Sequence, residues 1–320
     1  MRSITFVVLN RVRLKQTQAY RFLPGVARCQ NVGRCSATGD FARGGDWSFR
    51  NAVSIISGMP PSLPLAVATR VFGQPLRVAL RRAAECGANG VQFELRDELR
   101  SEALTGTGKR QFLHSLTEYG LKIAPAHFPT KRALYATEQL DARIAAVRDA
   151  MTFASQLKTQ VLTLRLGPLP AEADEKEAKT LIEVLNDLAR HGNHVGVTLA
   201  IAPSGEPAAA YAKLLAQVTT GPIGIDFDPS SFVCAGRKVS EAFRELYTLV
   251  VHVQARDGVR DLDGLGAETA VGQGQVNWAE LLALLYESGY RGWVTAVRNQ
   301  GPDRGGDVIR AIETLKSIFL

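Results

Sequence analysis

Long apolar runs are missing from this chain of 320 residues. No stretch approaches the roughly 18–20 apolar residues that a membrane-spanning helix needs. The apolar run at residues 4–9 is too short for a secretory signal, and its basic neighbours follow it instead of preceding it. We therefore expect a cytoplasmic protein that makes no contact with membranes.

Cysteine is also scarce, with four residues in the chain and no CxxC pair among them. Cys29 and Cys35 lie near the N-terminus, while Cys86 and Cys234 lie far apart in the sequence. A cysteine-based metal site would need histidine partners at ligand spacing, and the sequence has none there. We expect reduced, partly buried thiols.

The chain has an uneven distribution of charge, although its net charge of +7 first suggests a polyanion partner. Residues 1–58 contain nine basic side chains and two acidic ones, which leaves 29 of each sign in residues 59–320. A neutral domain has no electrostatic footprint for nucleic acid. We expect no nucleic-acid partner, and a related DNA-repair nuclease is disfavoured for the same reason.

The first 58 residues show no sustained helical or strand period, and they are rich in Arg, Gly and Ser. Disorder is one interpretation, and a non-native upstream start with translation beginning at Met59 is another. The Arg-rich composition also allows an organelle transit peptide, which we favour less. We accordingly divide the chain into a basic leader, 1–58, and one domain, 59–320.

Short apolar runs alternate with longer amphipathic stretches from Pro64 onward, a pattern typical of parallel strands joined by helices. Helices are predicted, for example, at 107–119, closed by Gly120, and at 174–189, closed by Gly192. Eight β/α units in about 255 residues fit a single (β/α)8 TIM barrel of the α/β class. An open doubly wound sheet is the rival, but no glycine-rich phosphate loop follows the first strand. The predicted strands are 65–69, 90–95, 121–127, 160–166, 196–202, 223–228, 249–254 and 292–298.

Polar residues at the ends of these strands are the candidates for a substrate site, because a barrel of this kind carries its chemistry on the loops that follow the strands. Glu94 could instead form a buried ion pair with Arg96, and His127 could be a hydrogen-bonded rim residue. Arg165 lies in an apolar run and needs a carboxylate or an anionic ligand if it faces the lumen. The candidates are Glu94, His127, Arg165, Asp228, Gln254 and Arg298.

The second half of the chain carries four motifs in order. They are Ile-Asp-Phe-Asp-Pro-Ser at 225–230, Val-His-Val-Gln-Ala-Arg-Asp at 251–257, Val-Gly-Gln-Gly-Gln-Val-Asn-Trp at 271–278 and Gly-Tyr-Arg-Gly-Trp at 289–293. In these motifs the chain, from about residue 64 to 320, resembles the xylose-isomerase-like TIM barrels, a family of sugar and sugar-phosphate isomerases and epimerases.

The resemblance implies a divalent metal (Mn²⁺, Mg²⁺, Co²⁺ or Zn²⁺) held by Glu, Asp, His and Glu at the ends of strands five to eight. Of these ligand positions, Asp228 keeps its residue, whereas Ala202, Gln254 and Val297 occupy the others. We therefore expect no tightly bound cofactor, and a metal-dependent activity that is weakened or lost. The alternative is a catalytically inactive barrel that binds a carbohydrate, a sugar acid or a protein partner.

Overall fold

The computed structural model describes residues 62–171 and 173–319. The expectations for residues 1–58 lie outside the described residues. Within the described residues, no helix is both long enough and apolar enough to span a bilayer.

Within residues 62–171 and 173–319, nine strands form one parallel sheet. Their bounds are β1 Leu65–Ala68, β2 Gly90–Gln92, β3 Lys122–Ile123, β4 Ala126–His127, β5 Val161–Arg165, β6 Thr198–Ala202, β7 Ile223–Phe227, β8 Val250–Ala255 and β11 Val294–Ala296. Their order in the sheet is β3-β2-β1-β11-β8-β7-β6-β5-β4. Each of the eight predicted strand positions overlaps at least one of these strands, which confirms the (β/α)8 prediction.

The two strands at the ends of this order, β3 and β4, are halves of one predicted strand that is interrupted at Pro125. Proline cannot donate to a strand ladder, which accounts for the interruption. β3 pairs with β2 and β4 pairs with β5, while a bridge between Glu94 and His127 links the end of β2 to β4. The sheet thereby curves round to meet itself.

Helices cover the outside of the barrel, and their apolar faces pack on the strands in one continuous core. Three short 3₁₀ segments occur at Thr69–Phe72, Ser101–Ala103 and Tyr247–Leu249. The α-helices are α1 Leu76–Glu85, α2 Gly106–Glu118, α3 Leu140–Gln156, α4 Glu175–Val195, α5 Ala208–Leu215, α6 Pro229–Cys234, α7 Val239–Leu246, α8 Trp278–Glu287 and α9 Arg304–Phe319.

The helix predicted to end at Gly192 continues to Val195, so that prediction is wrong. Gly192 lies inside the helix because a Cβ there would come within 2.5 Å of the Val197 carbonyl oxygen. The left-handed residue that ends the helix is Gly196, with φ of 72°. The glycine at position 192 is therefore explained by its close contact with Val197 and not by the end of the helix.

A two-stranded antiparallel hairpin that the sequence analysis missed follows β8 directly, at the carboxyl end of the barrel. Its strands are β9 Asp257–Arg260 and β10 Gly266–Thr269. Neither strand, Asp-Gly-Val-Arg or Gly-Ala-Glu-Thr, shows the apolar alternation of a half-buried strand. The apolar residues Leu262 and Leu265 lie in the turn and are exposed. Glu268 of β10 contacts Arg256, which follows β8, and the backbone of Asn299 and Gln300, which follow β11. The hairpin therefore brings a carboxylate to the carboxyl ends of these strands.

Candidate functional site

A buried polar network fills the lumen just below the carboxyl ends of β7 and β8. Asp226 Oδ1 lies 2.7 Å from His252 Nδ1, and the other ring nitrogen of His252 lies 2.7 Å from Thr295 Oγ1. Gln254 donates its side-chain amide to the second oxygen of Asp226. Burial opposes ionisation of Asp226, but His252 and Gln254 outweigh it, so the pKa of Asp226 is lowered. Gln254 is thus held as a donor to a carboxylate.

Asp228 sits one layer above, fully buried at the end of β7 and the start of α6. Its Oδ1 accepts from the backbone N–H of Ser230 at 3.2 Å and from the Ser230 hydroxyl at 2.9 Å. Its Oδ2 accepts from Arg165 at 3.3 Å and from Arg256. Both oxygens of this carboxylate therefore already have donors, two of them cationic.

Arg256 links this carboxylate to the hairpin. Its Nε donates to Glu268 Oε1 at 2.9 Å, while its Nη1 donates to Asp228. Burial disfavours the charged guanidinium, but the two carboxylates outweigh burial, so the pKa of Arg256 is raised. Glu268 also accepts from the backbone N–H groups of Asn299 and Gln300. These contacts hold the hairpin after β8 and the loop after the neighbouring strand β11 together at one side of the mouth.

The opposite side of the mouth is formed by the ends of β1 and β2. Glu94 accepts from the backbone N–H of Asp97 at 3.1 Å and from that of Arg96, so its carboxylate caps its own loop. Arg70 donates to the Asn299 side chain at 3.0 Å. Burial and the charge of Arg256 lower the pKa of Arg70, while burial raises the pKa of the neighbouring Glu98.

His127 ends β4, with Nδ1 3.1 Å from the Thr163 hydroxyl. Burial, reinforced by the charges of Arg70 and Arg165, lowers the pKa of His127 from 6.5 to about 3. Asp226 acts in the opposite direction but does not prevail. The imidazole is therefore neutral near pH 7, and it is close enough to the two arginines for their charges to act on it.

This neutral histidine predicts a pH dependence of folding. The unfolded chain binds a proton at His127 below about pH 6.5, and the folded protein does so only near pH 3. Stability is therefore lost as the pH falls from 6.5 towards 3, by at most about 1.4 kcal/mol per pH unit from this group. When urea unfolding is measured at several pH values, the free energy of unfolding should fall less steeply with decreasing pH in His127→Gln than in the wild type. His114→Gln, at an exposed histidine, serves as the control. The same pH dependence of the free energy of unfolding in wild type and His127→Gln would refute the assignment.

Asp257, at the start of β9, is fully buried and organises the Val-Gly-Gln-Gly-Gln-Val-Asn-Trp segment. Gly274 approaches it so closely that a Cβ there would lie 2.1 Å from Asp257 Oδ1. The motif is thus explained as a loop wrapped around one carboxylate. That carboxylate accepts from the backbone N–H groups of Gly258, Gly272, Gly274 and Val276 and from the indole N–H of Trp278.

The structure brings several of the sequence candidates to one mouth. Arg165 contacts Asp228, Gln254 lies in the network below, and the fields of Arg165 and Asp226 both act on His127. Glu94 lies on the same rim with its carboxylate turned to backbone amides. Arg298 donates from Nε to Asp307 at 3.0 Å, and its Nη1 lies 3.9 Å from Glu268 Oε2.

Three residues at this site were not among the substrate-binding candidates predicted from the sequence: Arg70, Arg256 and Glu268. The first two follow predicted strands, so their positions gave a signal that was too weak to separate them from ordinary loop residues. Glu268 gave no signal, because it reaches the mouth only through a hairpin absent from the sequence prediction.

The four positions that the resemblance assigns to metal ligands can now be compared with the structure. Ala202 and Val297 are buried apolar side chains, 2% and 3% exposed. Gln254 donates to Asp226, and Asp228 accepts from two arginines. Within residues 62–171 and 173–319, no three His, Cys, Asp or Glu side chains converge as a metal site requires.

The fold is that of a known class of TIM barrels. The chain belongs to the family of xylose isomerase-like TIM barrels, which it matches over residues 80–318. No curated protein matches this chain.

Three solved structures show the same fold. A xylose isomerase domain protein from Planctomyces limnophilus is 22% identical, with a TM-score of 0.71, and the alignment covers 81% of this chain and 98% of that one. A xylose isomerase-like TIM barrel protein from Mycobacterium smegmatis, solved in complex with magnesium, is 16% identical over 82% and 97% of the two chains, with a TM-score of 0.63. A D-psicose 3-epimerase solved in the presence of D-fructose is 14% identical over 80% and 96%, with a TM-score of 0.62.

Proposed function

We propose that this family member binds a sugar acid or a phosphorylated sugar in its barrel mouth without a tightly held metal. Metal-dependent isomerase or epimerase activity is then weakened or lost. The observation that carries the proposal is the pairing of Asp228 with the guanidinium groups of Arg165 and Arg256. This is the position where the resemblance implies that an aspartate holds a dication.

The donor set supports this proposal on chemical grounds. A hard divalent cation needs several oxygen or imidazole ligands with enough negative charge to offset its dehydration. Ala202 and Val297 have no lone pairs to offer, and the Gln254 amide is neutral. To bind a metal, Asp228 would have to give up its hydrogen bonds from the guanidinium groups of Arg165 and Arg256. Like-charge repulsion from Arg256, whose pKa is raised, opposes that exchange.

The same groups favour an anionic ligand. The Arg165 side chain is 45% exposed, and within residues 62–171 and 173–319 it contacts one carboxylate, at 3.3 Å, which leaves other N–H groups of the guanidinium for a ligand. Burial and the charge of Arg256 lower the pKa of Arg70, and the negative charge of a bound anion would act on that pKa in the opposite direction. A guanidinium recognises carboxylate or phosphate through paired hydrogen bonds.

The first experiment is a metal and ligand titration of the full chain. We expect Mn²⁺ and Mg²⁺ to bind no tighter than about millimolar, and gluconate, glucuronate or glucose 6-phosphate to bind tighter than glucose in the absence of metal. Calorimetry on Arg165→Gln should show at least about tenfold weaker binding of these anions. Arg190→Gln, an exposed arginine on α4, is the matched control.

Two outcomes would overturn the proposal. A stoichiometric metal that binds tightly and accelerates isomerisation or epimerisation of a sugar would restore the metal-dependent mechanism. Anion affinity that is unchanged in Arg165→Gln would remove the mouth as the binding site. Turnover assays with and without Mn²⁺ then separate a weak enzyme from a catalytically inactive binding protein.

A further inference from the structure

A separate cleft of about 280 Å³ lies beside the mouth, between the loops that follow β2 and β4 and the first turns of α3. Four of its lining side chains are cationic, Arg96, Lys131, Arg132 and Arg143, and none is acidic. We call this cleft the arginine groove. Such a concentration stands out because residues 59–320 contain equal numbers of acidic and basic side chains.

Little in the described residues neutralises this charge. Arg132 pairs with Glu138, while Lys131 and Arg96 have no acidic partner within 4.0 Å among residues 62–171 and 173–319. The guanidinium of Arg96 lies over the Phe128 ring, 4.6 Å from its centroid, and its buried Nε has no hydrogen-bond partner in that part of the chain. The groove therefore contains cationic hydrogen-bond donors that could bind an anion.

Two of the groove's arginines are held in place, which favours recognition over chance binding. Arg143 donates to the carbonyl oxygens of Ala136 and Glu138 at 2.9 and 2.7 Å. Arg96 is fixed against Phe128 by stacking. Binding to fixed donors costs less conformational entropy than binding to free side chains. Lys131 and Arg132 are exposed and able to move onto a ligand.

Other cavities do not share this property. A larger one of about 450 Å³, near the hairpin and α8, contains Asp261 and Glu280 beside its basic residues. Another of about 290 Å³ adjoins the arginine groove through Arg96 and contains Glu102 and Asp149. Anion selectivity is therefore favoured in the arginine groove alone among these three.

The groove is joined to the mouth by the chain itself. Arg96 follows Glu94 by two residues, and its backbone N–H donates to the Glu94 carboxylate. On the other side, the Thr130 hydroxyl donates to the backbone carbonyl of Arg165 at 2.5 Å, and Lys131 and Arg132 come next in the chain. The groove therefore lies next to the mouth along two separate loops of the chain.

We infer that the arginine groove binds the phosphate of a phosphorylated sugar whose hydroxyl-bearing part occupies the mouth. The inference rests on the proposed function for the mouth, and it narrows the ligand to the phosphate ester. Four cations suit a phosphate ester, which has three acceptor oxygens and up to two negative charges.

The test uses two probes, inorganic phosphate and glucose 6-phosphate, with the full chain at low ionic strength. The groove variant is Lys131→Gln with Arg132→Gln, and the matched control is Lys179→Gln with Arg190→Gln on α4. Both remove two exposed cations from the chain. We expect the groove variant to bind each probe at least about tenfold more weakly than the wild type, and the control to bind within about twofold.

The outcomes separate this inference from the proposed function. If the groove variant binds both probes within about twofold of the wild type, or loses no more than the control, the groove inference is overturned. Gluconate binding that still depends on Arg165 would then leave the mouth proposal intact. If the wild type shows no saturable phosphate binding below about 50 mM, the inference also fails, because several charge-assisted bonds should give more. If phosphate binding is lost in the groove variant while gluconate is insensitive to Arg165→Gln, the groove is an anion site, but the mouth proposal fails and the inference of a phosphorylated sugar that reaches from groove to mouth fails with it.

Discussion

Replacing Asp257 by alanine is expected to lower the free energy of unfolding by about 4 kcal/mol or more. The carboxylate is fully buried and accepts five N–H groups, from the backbone of Gly258, Gly272, Gly274 and Val276 and from the Trp278 indole. A buried donor that loses its partner costs about 1–3 kcal/mol, and water can re-enter to satisfy some of the five. The sum is large enough to endanger folding in a protein of ordinary stability.

Asp257→Asn is the more informative companion. It keeps the size of the side chain but replaces one acceptor oxygen by an NH₂ group, which must then face N–H donors. We expect this variant to lose about 2–3 kcal/mol from the same cause without a cavity. Asp263→Asn, at the exposed turn of the same hairpin, is the control and should change stability by no more than about 0.5 kcal/mol.

Urea unfolding followed by circular dichroism measures all three variants. If Asp257→Asn is as stable as the wild type, the loop is not organised by this carboxylate and our account of the motif is wrong. If Asp257→Ala does not fold, Asp257→Asn still decides the question.

Replacing Arg256 by methionine is expected to cost about 3–5 kcal/mol. The side chain keeps a similar length, but Asp228 and Glu268 lose the guanidinium that lies between them. Asp228 is fully buried and the Glu268 side chain is 5% exposed, so two carboxylates would remain in a poorly solvated place. Removing one partner of a buried ion pair is expensive because it leaves the other charge uncompensated.

The matching rescue tests that explanation. Asp228→Asn with Glu268→Gln in the Arg256→Met background removes the uncompensated charges, and we expect it to recover at least about half of the lost stability. The double mutant without Arg256→Met should be destabilised, since a buried guanidinium then lacks its carboxylates. Stability in Arg256→Met that equals the wild type, or a triple mutant no better than Arg256→Met, would contradict the role assigned to this network.

These two networks show how far the sequence could lead to the site. Asp228 and Arg165 were predicted as candidates because each stands at the end of an apolar run, and the structure places them 3.3 Å apart. Their partner Arg256 occupies an equivalent position after β8, yet no pattern in the sequence says that its guanidinium turns towards Asp228. Glu268 was out of reach, because it approaches the mouth from a hairpin with an exposed turn and no strand period.

Periodicity alone determined the class of fold. Buried parallel strands must read as apolar runs and their helices as amphipathic stretches, so eight alternations predicted the barrel and where its strands lie. The boundary of α4 was missed because Gly192 serves a close contact with Val197, which is a property of packing.

The tertiary structure alone decided which charges compensate one another. Asp228 at the end of β7 pairs with Arg256 at the end of the neighbouring strand β8, 28 residues away. The cations of the arginine groove come from three different segments of the chain. Electrostatic interactions depend on distances between side chains and on their exclusion from water. A local sequence pattern predicts neither the distances between side chains nor their exclusion from water. It does predict the alternation of strands and helices that forms a barrel.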